Sequence, residues 1–407
     1  MSESNKKDEN KSNGIDLNEL MKLLTKFQQV EFHDFQLEAK NLELRFDAGA
    51  AAPFMPQVKL PQVTVPTKPA VLLQQTFTPP VEKYSGTIAS VKLGATKSEG
   101  GTRGRSLTIG GEKTPAFYTF EGPVINKPVV TMDVFDMEVP LSKAVKMHVK
   151  EVMGDPAAWA KLAVEKFGAD MITIHLISID PLLKDATPKS TLKTIENVLQ
   201  AVDVPLVIGG CGDPEKDTKL FEEVATAFPG ERFLLSSFTR DMKIENIAKL
   251  AKKNNHAVLS FTPMDLNMAR ELNRKLYDYL GKEDIVMDLS TAALGYGLDY
   301  AFTNMERARL GGLLGDGELA HPMSSGTTNA WAAREAWLKM DDKWEPRELR
   351  GPLWEVNTAL TLLLAGVDMF MMIHPAAVKT LKDVINNLSS GKKVDPSKYV
   401  DWVSAKI

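Results

Sequence analysis

Two stretches far apart in the chain read almost alike: Phe167-Gly-Ala-Asp-Met-Ile-Thr-Ile-His175 and Ala365-Gly-Val-Asp-Met-Phe-Met-Met-Ile-His374. In each, a helix ends on glycine, an aspartate follows, and an apolar run leads to a histidine. A run without polar alternation is the pattern of a strand covered on both faces. Such runs stand at Val129–Phe135, Met171–Ile177, Leu206–Gly209, Phe233–Ser236, Ala257–Phe261, Ile285–Leu289, Leu319–Met323 and Met369–Ile373, eight in all. Between them, Asp155-Pro156, Thr187-Pro188, Asp213-Pro214 and Thr262-Pro263 each put a capping side chain before a proline suited to the first helical turn. This alternation predicts an α/β fold, a closed (β/α)8 TIM barrel over residues 123–390. An open doubly wound sheet is the competitor. It would carry a glycine fingerprint after its first strand; Val134-Phe-Asp-Met-Glu-Val-Pro has none, and Gly315-Asp-Gly-Glu precedes a strand instead of following one.

The bulk composition fits one large domain with an appendage. The chain has 407 residues, 43% hydrophobic and 25% charged, with net charge −4. No basic arm offsets that mild acidity, so nucleic acid and anionic membranes are not expected partners. Cys211 is the sole cysteine, which excludes an internal disulfide and a self-contained four-cysteine iron–sulfur cluster. Six histidines are present, no two at His-x-x-His or His-x-x-x-His spacing, so no sequence-local metal site is expected. The polar N-terminus has no apolar signal core and no run of 18 apolar residues follows; the expected compartment is the cytoplasm.

Ahead of the barrel the reading is composite. Residues 1–14 read as a disordered tail, and 15–49 as a small helix/strand module with Leu17, Leu20, Met21, Leu24 and Phe27 at helical spacing. Residues 50–83 form a proline-rich linker, and 391–407 a C-terminal extension. Over 84–122 the runs Ile88–Leu93 and Leu107–Ile109, joined through Glu99-Gly-Gly-Thr, predict a β-hairpin. Its glycines and arginines invite an anion-loop reading, but no frame has Walker spacing. Placed just before strand one, the hairpin is expected to close the barrel's N-terminal end, with Arg103 and Arg105 as clamps in a subunit interface.

In such barrels chemistry rides on the loops after each strand. That rule selects Asp136, His175, Ser178, Asp180, Cys211, Ser236, Thr239, Thr262, Asp288, Ser290, Thr291, His321, Ser324 and His374. Hydroxyls dominate and no nucleophile–base pair stands out, so no catalytic residue and no metal ligand is assigned. Cys211 reads as a small buried hydrophobe, His175 and His374 as hydrogen-bonded core histidines, and Asp180 and Asp213 as caps. His321, in His-Pro-Met-Ser-Ser-Gly-Thr-Thr, is expected in a mouth loop.

Several longer motifs carry a resemblance: Leu93-Gly-Ala-Thr-Lys-Ser-Glu-Gly-Gly-Thr-Arg-Gly-Arg, Met132-Asp-Val-Phe-Asp, Ile208-Gly-Gly-Cys-Gly-Asp-Pro, Asp288-Leu-Ser-Thr-Ala-Ala-Leu-Gly-Tyr-Gly and Met369-Phe-Met-Met-Ile-His-Pro. From Tyr84 to Leu388 the chain resembles the small (delta) subunit of the corrinoid/iron–sulfur protein of the CO dehydrogenase/acetyl-CoA synthase system. The resemblance implies a barrel subunit in a heterodimer, whose large (gamma) partner holds the iron–sulfur cluster and most of the corrinoid site. Together they would pass a methyl group between a tetrahydropterin or tetrahydrofolate methyltransferase and acetyl-CoA synthase. This chain lacks the Asp-x-His-x-x-Gly of a histidine-ligated cobalamin module. The expected contacts to a cobalamin-type corrinoid at the interface are therefore mouth residues Ser178, Asp180, Thr262, Ser290, Thr291, His321 and Ser324. Two other readings stay open: a pterin-dependent barrel methyltransferase using Asp288 and Asp136, and a purely architectural subunit.

Overall fold

The computed structural model describes residues 78 and 80–391. The expected tail, the helix/strand module, most of the linker and nearly all of the C-terminal extension lie outside them. The described chain opens with a hairpin, β1 (Ser90–Leu93) and β2 (Leu107–Gly110). Eight parallel strands then follow: β3 (Val129–Phe135), β4 (Met171–His175), β5 (Leu206–Gly209), β6 (Leu234–Phe238), β7 (Ala257–Phe261), β8 (Ile285–Asp288), β9 (Met323–Ser325) and β10 (Met369–Met372). They close in chain order, with β10 paired to β3. Around them lie α1 (Lys143–Val149), α2 (Pro156–Glu165), α3 (Pro188–Ala201), α4 (Pro214–Ala227), α5 (Ile244–Lys253), α6 (Leu266–Leu276), α7 (Leu298–Leu313), α8 (Arg347–Leu364) and α9 (Pro375–Ser389). The fold is the expected TIM barrel. Among the described residues no helix is long and apolar enough to cross a membrane.

The Gly-x-Asp repeat has a structural cause at both places. Gly168 and Gly366 take φ of +75° and +95°, the left-handed turn that ends a helix and that glycine enters without strain. The aspartate then ties neighbouring strands at their N-terminal ends. Asp170 Oδ2 accepts from Val130 N–H at 3.0 Å, and its other oxygen takes Lys382 Nζ at 2.6 Å. Asp368 Oδ2 accepts from Met323 N–H at 2.8 Å and from Arg309 at 2.5 Å, while its carbonyl accepts Val129 N–H at 2.9 Å. One residue thus joins β9, β10 and β3 where the barrel closes.

Helix starts follow the expected chemistry with two exceptions. Asp155 and Asp213 accept the free N–H groups of the first turns of α2 and α4. Thr187 makes no side-chain cap, and the helix expected after Thr262-Pro263 begins at Leu266, capped by Asp265. The largest strand correction is β9. The apolar Leu319-Ala320 suggested a start at Leu319, but the strand is Met323–Ser325, polar in composition and preceded by Pro322, which has no N–H to give.

The hairpin packs on the N-terminal ends of the strands. Its buried Val91, Leu93 and Ile109 meet the inward side chains of Val129, Met171, Val207, Leu234 and Met369. Each such side chain contributes roughly 1.5–3 kcal/mol of burial. Main-chain bonds from Gly94 N–H to Arg232 O and from Gly104 N–H to Asp203 O, both 2.8 Å, fix the approach. Arg103 is buried and donates to Val202 O at 2.6 Å, Leu199 O at 2.9 Å and Glu231 at 3.3 Å. Arg105 donates to Asp170 O at 3.2 Å. Carboxylate and backbone clamping was the expected chemistry, but both arginines clamp within the chain, because the barrel's own loop carbonyls lie in reach.

Replacing Arg309 by leucine would leave buried Asp368 and part-buried Glu112 without their counter-charge. The expected loss is about 3–5 kcal/mol in urea unfolding.

Candidate functional site

The C-terminal end of the barrel gathers the remaining polar groups. Strand alternation fixes which of them point inward. Val130, Met132 and Val134 join the outer core against the helices and Val129 the inner one, so Thr131 and Asp133 face the barrel axis. The same parity turns Thr173 and His175 of β4 inward, and Ser236 of β6. In register, Ser324 lies beside inner-core Met369 on one side and Asp288 on the other, so both face inward.

These groups are unevenly satisfied. The hydroxyls of Thr131 and Thr173 pair at 2.8 Å. His175 Nε2 lies 3.1 Å from Asp133 Oδ1, Thr328 donates to the other Asp133 oxygen, and the ring of Phe135 stacks on His175 at 5.0 Å. Asp288 accepts one hydrogen bond, from Ser290 N–H at 2.9 Å, and burial pushes its carboxyl up to about 7. Ser290 takes the left-handed conformation at φ +67° to make that bond, and its hydroxyl reaches Thr262 O at 3.2 Å.

A further acid comes from the helix layer. Glu355 of α8 is fully buried, with one oxygen accepting Ile373 N–H at 2.7 Å and the other His374 N–H at 3.1 Å. Burial pushes it up to about 8, outweighing the two donors. His374 caps α9 by accepting Ala376 N–H at 3.2 Å, stacks on Trp331 at 5.8 Å, and is held down to about 4 by burial. A mid-helix glutamate reads as solvent-facing, so sequence gave no sign of Glu355. Asp133 did leave one, a charge inside an apolar run.

The expected contact residues divide into three groups. Ser178, Thr262 and Thr291 are buried in the mouth: Ser178 donates N–H and Oγ to Asp136, at 3.0 and 2.5 Å, and Thr291 pairs with Ser325 at 2.9 Å. Asp180 and Ser290 are part-exposed on mouth loops, and Ser324 lies within β9 facing the axis. His321 is misplaced in the sequence reading. It precedes β9, at the opposite end, buried with Nε2 2.6 Å from Tyr277 Oη. The misread start of β9 is the reason. Cys211 is a thiol pushed up to about 12 by burial, which suits packing and not attack.

Above the polar interior the rim is apolar. Leu182 (91% exposed), Leu183, Met264 and Tyr296 stand on loops after β4, β7 and β8, and Tyr300 (70%) on the first turn of α7. After β9, residues 326–346 fold over one side and, with the β3–α1 loop, border an open cleft of about 460 Å³ lined by Phe135, Leu141, Val145, Trp331, Trp337 and Ile373. Among the described residues, no three His, Cys, Asp or Glu side chains are grouped to hold a metal ion.

The sequence model of the CO dehydrogenase/acetyl-CoA synthase delta subunit matches residues 90–368, from the hairpin to the last barrel strand. The chain belongs to this family. Subunit delta of the acetyl-CoA decarbonylase/synthase complex of Archaeoglobus fulgidus is 52% identical over 360 residues, 86% of this chain and 79% of that protein. Subunit delta 1 from Methanosarcina thermophila is 48% identical over 366 residues, 88% and 83% of the two chains. The delta subunit of Methanocaldococcus jannaschii is 44% identical over 408 residues and covers 96% of this chain, so the similarity extends well into the N-terminal region outside the motif resemblance. Among solved structures, Xanthomonas albilineans dihydropteroate synthase superposes with a TM-score of 0.46 at 15% identity, over 65% of this chain and 94% of its own.

Within this delta-subunit barrel, Glu355 sets a pH signature. Its folded value, about 8, exceeds the ordinary 4.5, so the fold holds that proton more tightly than the unfolded chain does. The stability it contributes is full below 4.5 and is lost as pH rises through about 8. The melting temperature of Glu355→Gln, followed across that window, should fall less steeply than that of the unaltered protein.

Proposed function

We propose that this chain is the barrel subunit of a two-chain corrinoid/iron–sulfur methyl carrier. Its large (gamma) partner holds the cluster. The pair passes a methyl group between a methyl-tetrahydropterin or methyl-tetrahydrofolate methyltransferase and the acetyl-CoA synthase/CO dehydrogenase subunits. The observation that carries this reading is the mouth itself: exposed leucines and tyrosines stand on the segments that follow its strands. Such a surface suits docking more than turnover. The relatives are subunits of a named complex, which agrees.

The residues present fit a corrinoid at that surface. Flat apolar side chains, Leu182, Leu183, Tyr296 and Tyr300, would lie against the macrocycle, and part-exposed Asp180 and Ser290 would meet its amide substituents. When bound, the corrinoid supplies the cobalt that carries the methyl group. The chain's own part is to cover one face and exclude water. No lower ligand is drawn from His374, whose ring nitrogen is engaged in the α9 cap, or from His175, which faces Asp133.

Purified alone, the chain should hold no stoichiometric corrinoid or iron; co-expressed with the large subunit it should form an equimolar complex containing both. Leu182→Asp and Tyr300→Asp should weaken that complex roughly tenfold or more in titration by analytical ultracentrifugation. Stoichiometric corrinoid on the isolated chain, or assembly indifferent to both charges, would refute the reading.

A further inference from the structure

The outer face of α8 is unlike the faces of its neighbours in the helix ring. A barrel helix normally exposes charge on the side away from the strands. Lys249–Glu245 on α5 and Lys275–Glu271 on α6 are exposed pairs of that kind. From Leu349 to Leu364 of α8 the only charged residues are Arg350 and Glu355, and both are buried. Arg350 donates to Glu335 O at 2.7 Å and Leu338 O at 2.6 Å, and Glu355 holds the N–H groups of Ile373 and His374. What faces out instead is a stripe of leucine: Leu349 (61% exposed), Leu353 (52%), half-buried Leu360 and Leu364 (59%), at helical spacing along one side. The polar residues between them already bond to their own helix. Asn357 donates to Leu353 O and Thr361 to Asn357 O, both at 2.8 Å, so covering the face costs few hydrogen bonds to water. Among the described residues nothing crosses it.

The order of the leucines points to the partner. Either side of the midpoint between Val356 and Asn357, Leu349 mirrors Leu364 and Leu353 mirrors Leu360. A two-fold contact needs a patch that matches itself, residue i meeting j while j meets i. Two copies of α8 crossing antiparallel at that midpoint set Leu349 on Leu364 of the other copy and Leu353 on its Leu360, with Asn357 near the axis. An unrelated partner has no need of the mirrored order. Stable pairs bury roughly 800 Å² on each side, more than the leucines alone expose, and the flanks supply the rest. The same two-fold carries exposed Trp344, just before α8, toward exposed Tyr118, which lines one small cavity with Leu363 near the helix end.

We infer that this chain pairs with a second copy of itself through α8, the two helices antiparallel about Asn357. The face lies on the barrel wall and not at the mouth, so each copy keeps its rim free. The inference does not rest on the docking reading.

Sedimentation equilibrium of the full chain at micromolar concentration should give twice the mass of one chain. Leu353→Glu should weaken the pair at least about tenfold, with melting curves showing that the variant folds. Leu349→Glu and Leu364→Lys should each weaken it alone and, combined in one chain, restore it. The two positions are about 22 Å apart along one helix, too far to pair within it, and they meet only across an antiparallel two-fold. A monomeric unaltered chain, a dimer indifferent to Leu353→Glu, or no rescue by the combined variant would overturn the inference. So would a chain that is monomeric by itself and whose Leu353→Glu variant no longer assembles with the large subunit, which would give α8 to that partner.

Discussion

Closure of the barrel hangs on Asp368. A cylinder of parallel strands has no hairpin to set the stagger of its last strand against its first, so that stagger must come from contacts at the seam. Asp368 provides them from one position: its carbonyl takes the first N–H of β3, its carboxylate the first N–H of β9, and Arg309 neutralises the carboxylate from α7. The carboxylate is buried with a guanidinium that also reaches Glu112, just past the hairpin. One charge cluster therefore couples seam, helix layer and plug. The related Asp170 ties β4 to β3 in the same way, with a lysine in place of the arginine. Every position at the mouth inherits its register from these ties.

The two ends of the barrel have been given opposite treatment. At the N-terminal end, two buried arginines engage every arm of the guanidinium: Arg103 with Glu231, Thr102 and two carbonyls, and Arg232 with Asp284, Glu283 O and Lys92 O. At the C-terminal end, Asp288 is buried with a single donor, Ser290 N–H, and large apolar side chains face outward. Asp288 and Glu355 lie well above the ordinary carboxylate range because burial penalises their charged form.

The barrel was legible in sequence because its determinants are local: buried runs without alternation, proline after a capping aspartate, glycine before aspartate. It failed at β9, and for a physical reason. That strand is Met-Ser-Ser, whose inward residue is the serine adjoining Asp288, so hydrophobicity pointed instead to Leu319-Ala320 and carried His321 to the wrong end with it. The hydroxyls of the mouth were found by the strand-end rule, yet Ser178 and Thr291 serve as loop ties, since their partners Asp136 and Ser325 come from other strand ends. Glu355 was illegible: on α8 it occupies an unremarkable helical position, and only the return of β10 beneath that helix encloses it. Arg103 was recognised as a clamp but assigned to the wrong partner, because what it grips is separated from it by 96 to 128 residues.

That separation has a consequence for how the chain reaches its fold. The hairpin is made before any barrel strand, but the groups it docks on, Leu199, Val202, Glu231 and Arg232, belong to the third and fourth barrel strands' approaches, up to 140 residues later. During synthesis its apolar face, Val91, Leu93 and Ile109, must wait while half the barrel is assembled, and its docking closes loops whose entropy opposes early contact. The first of the described elements to leave the ribosome is thus buried only after partners up to 140 residues later have been made, and that interval leaves its apolar face open to self-association.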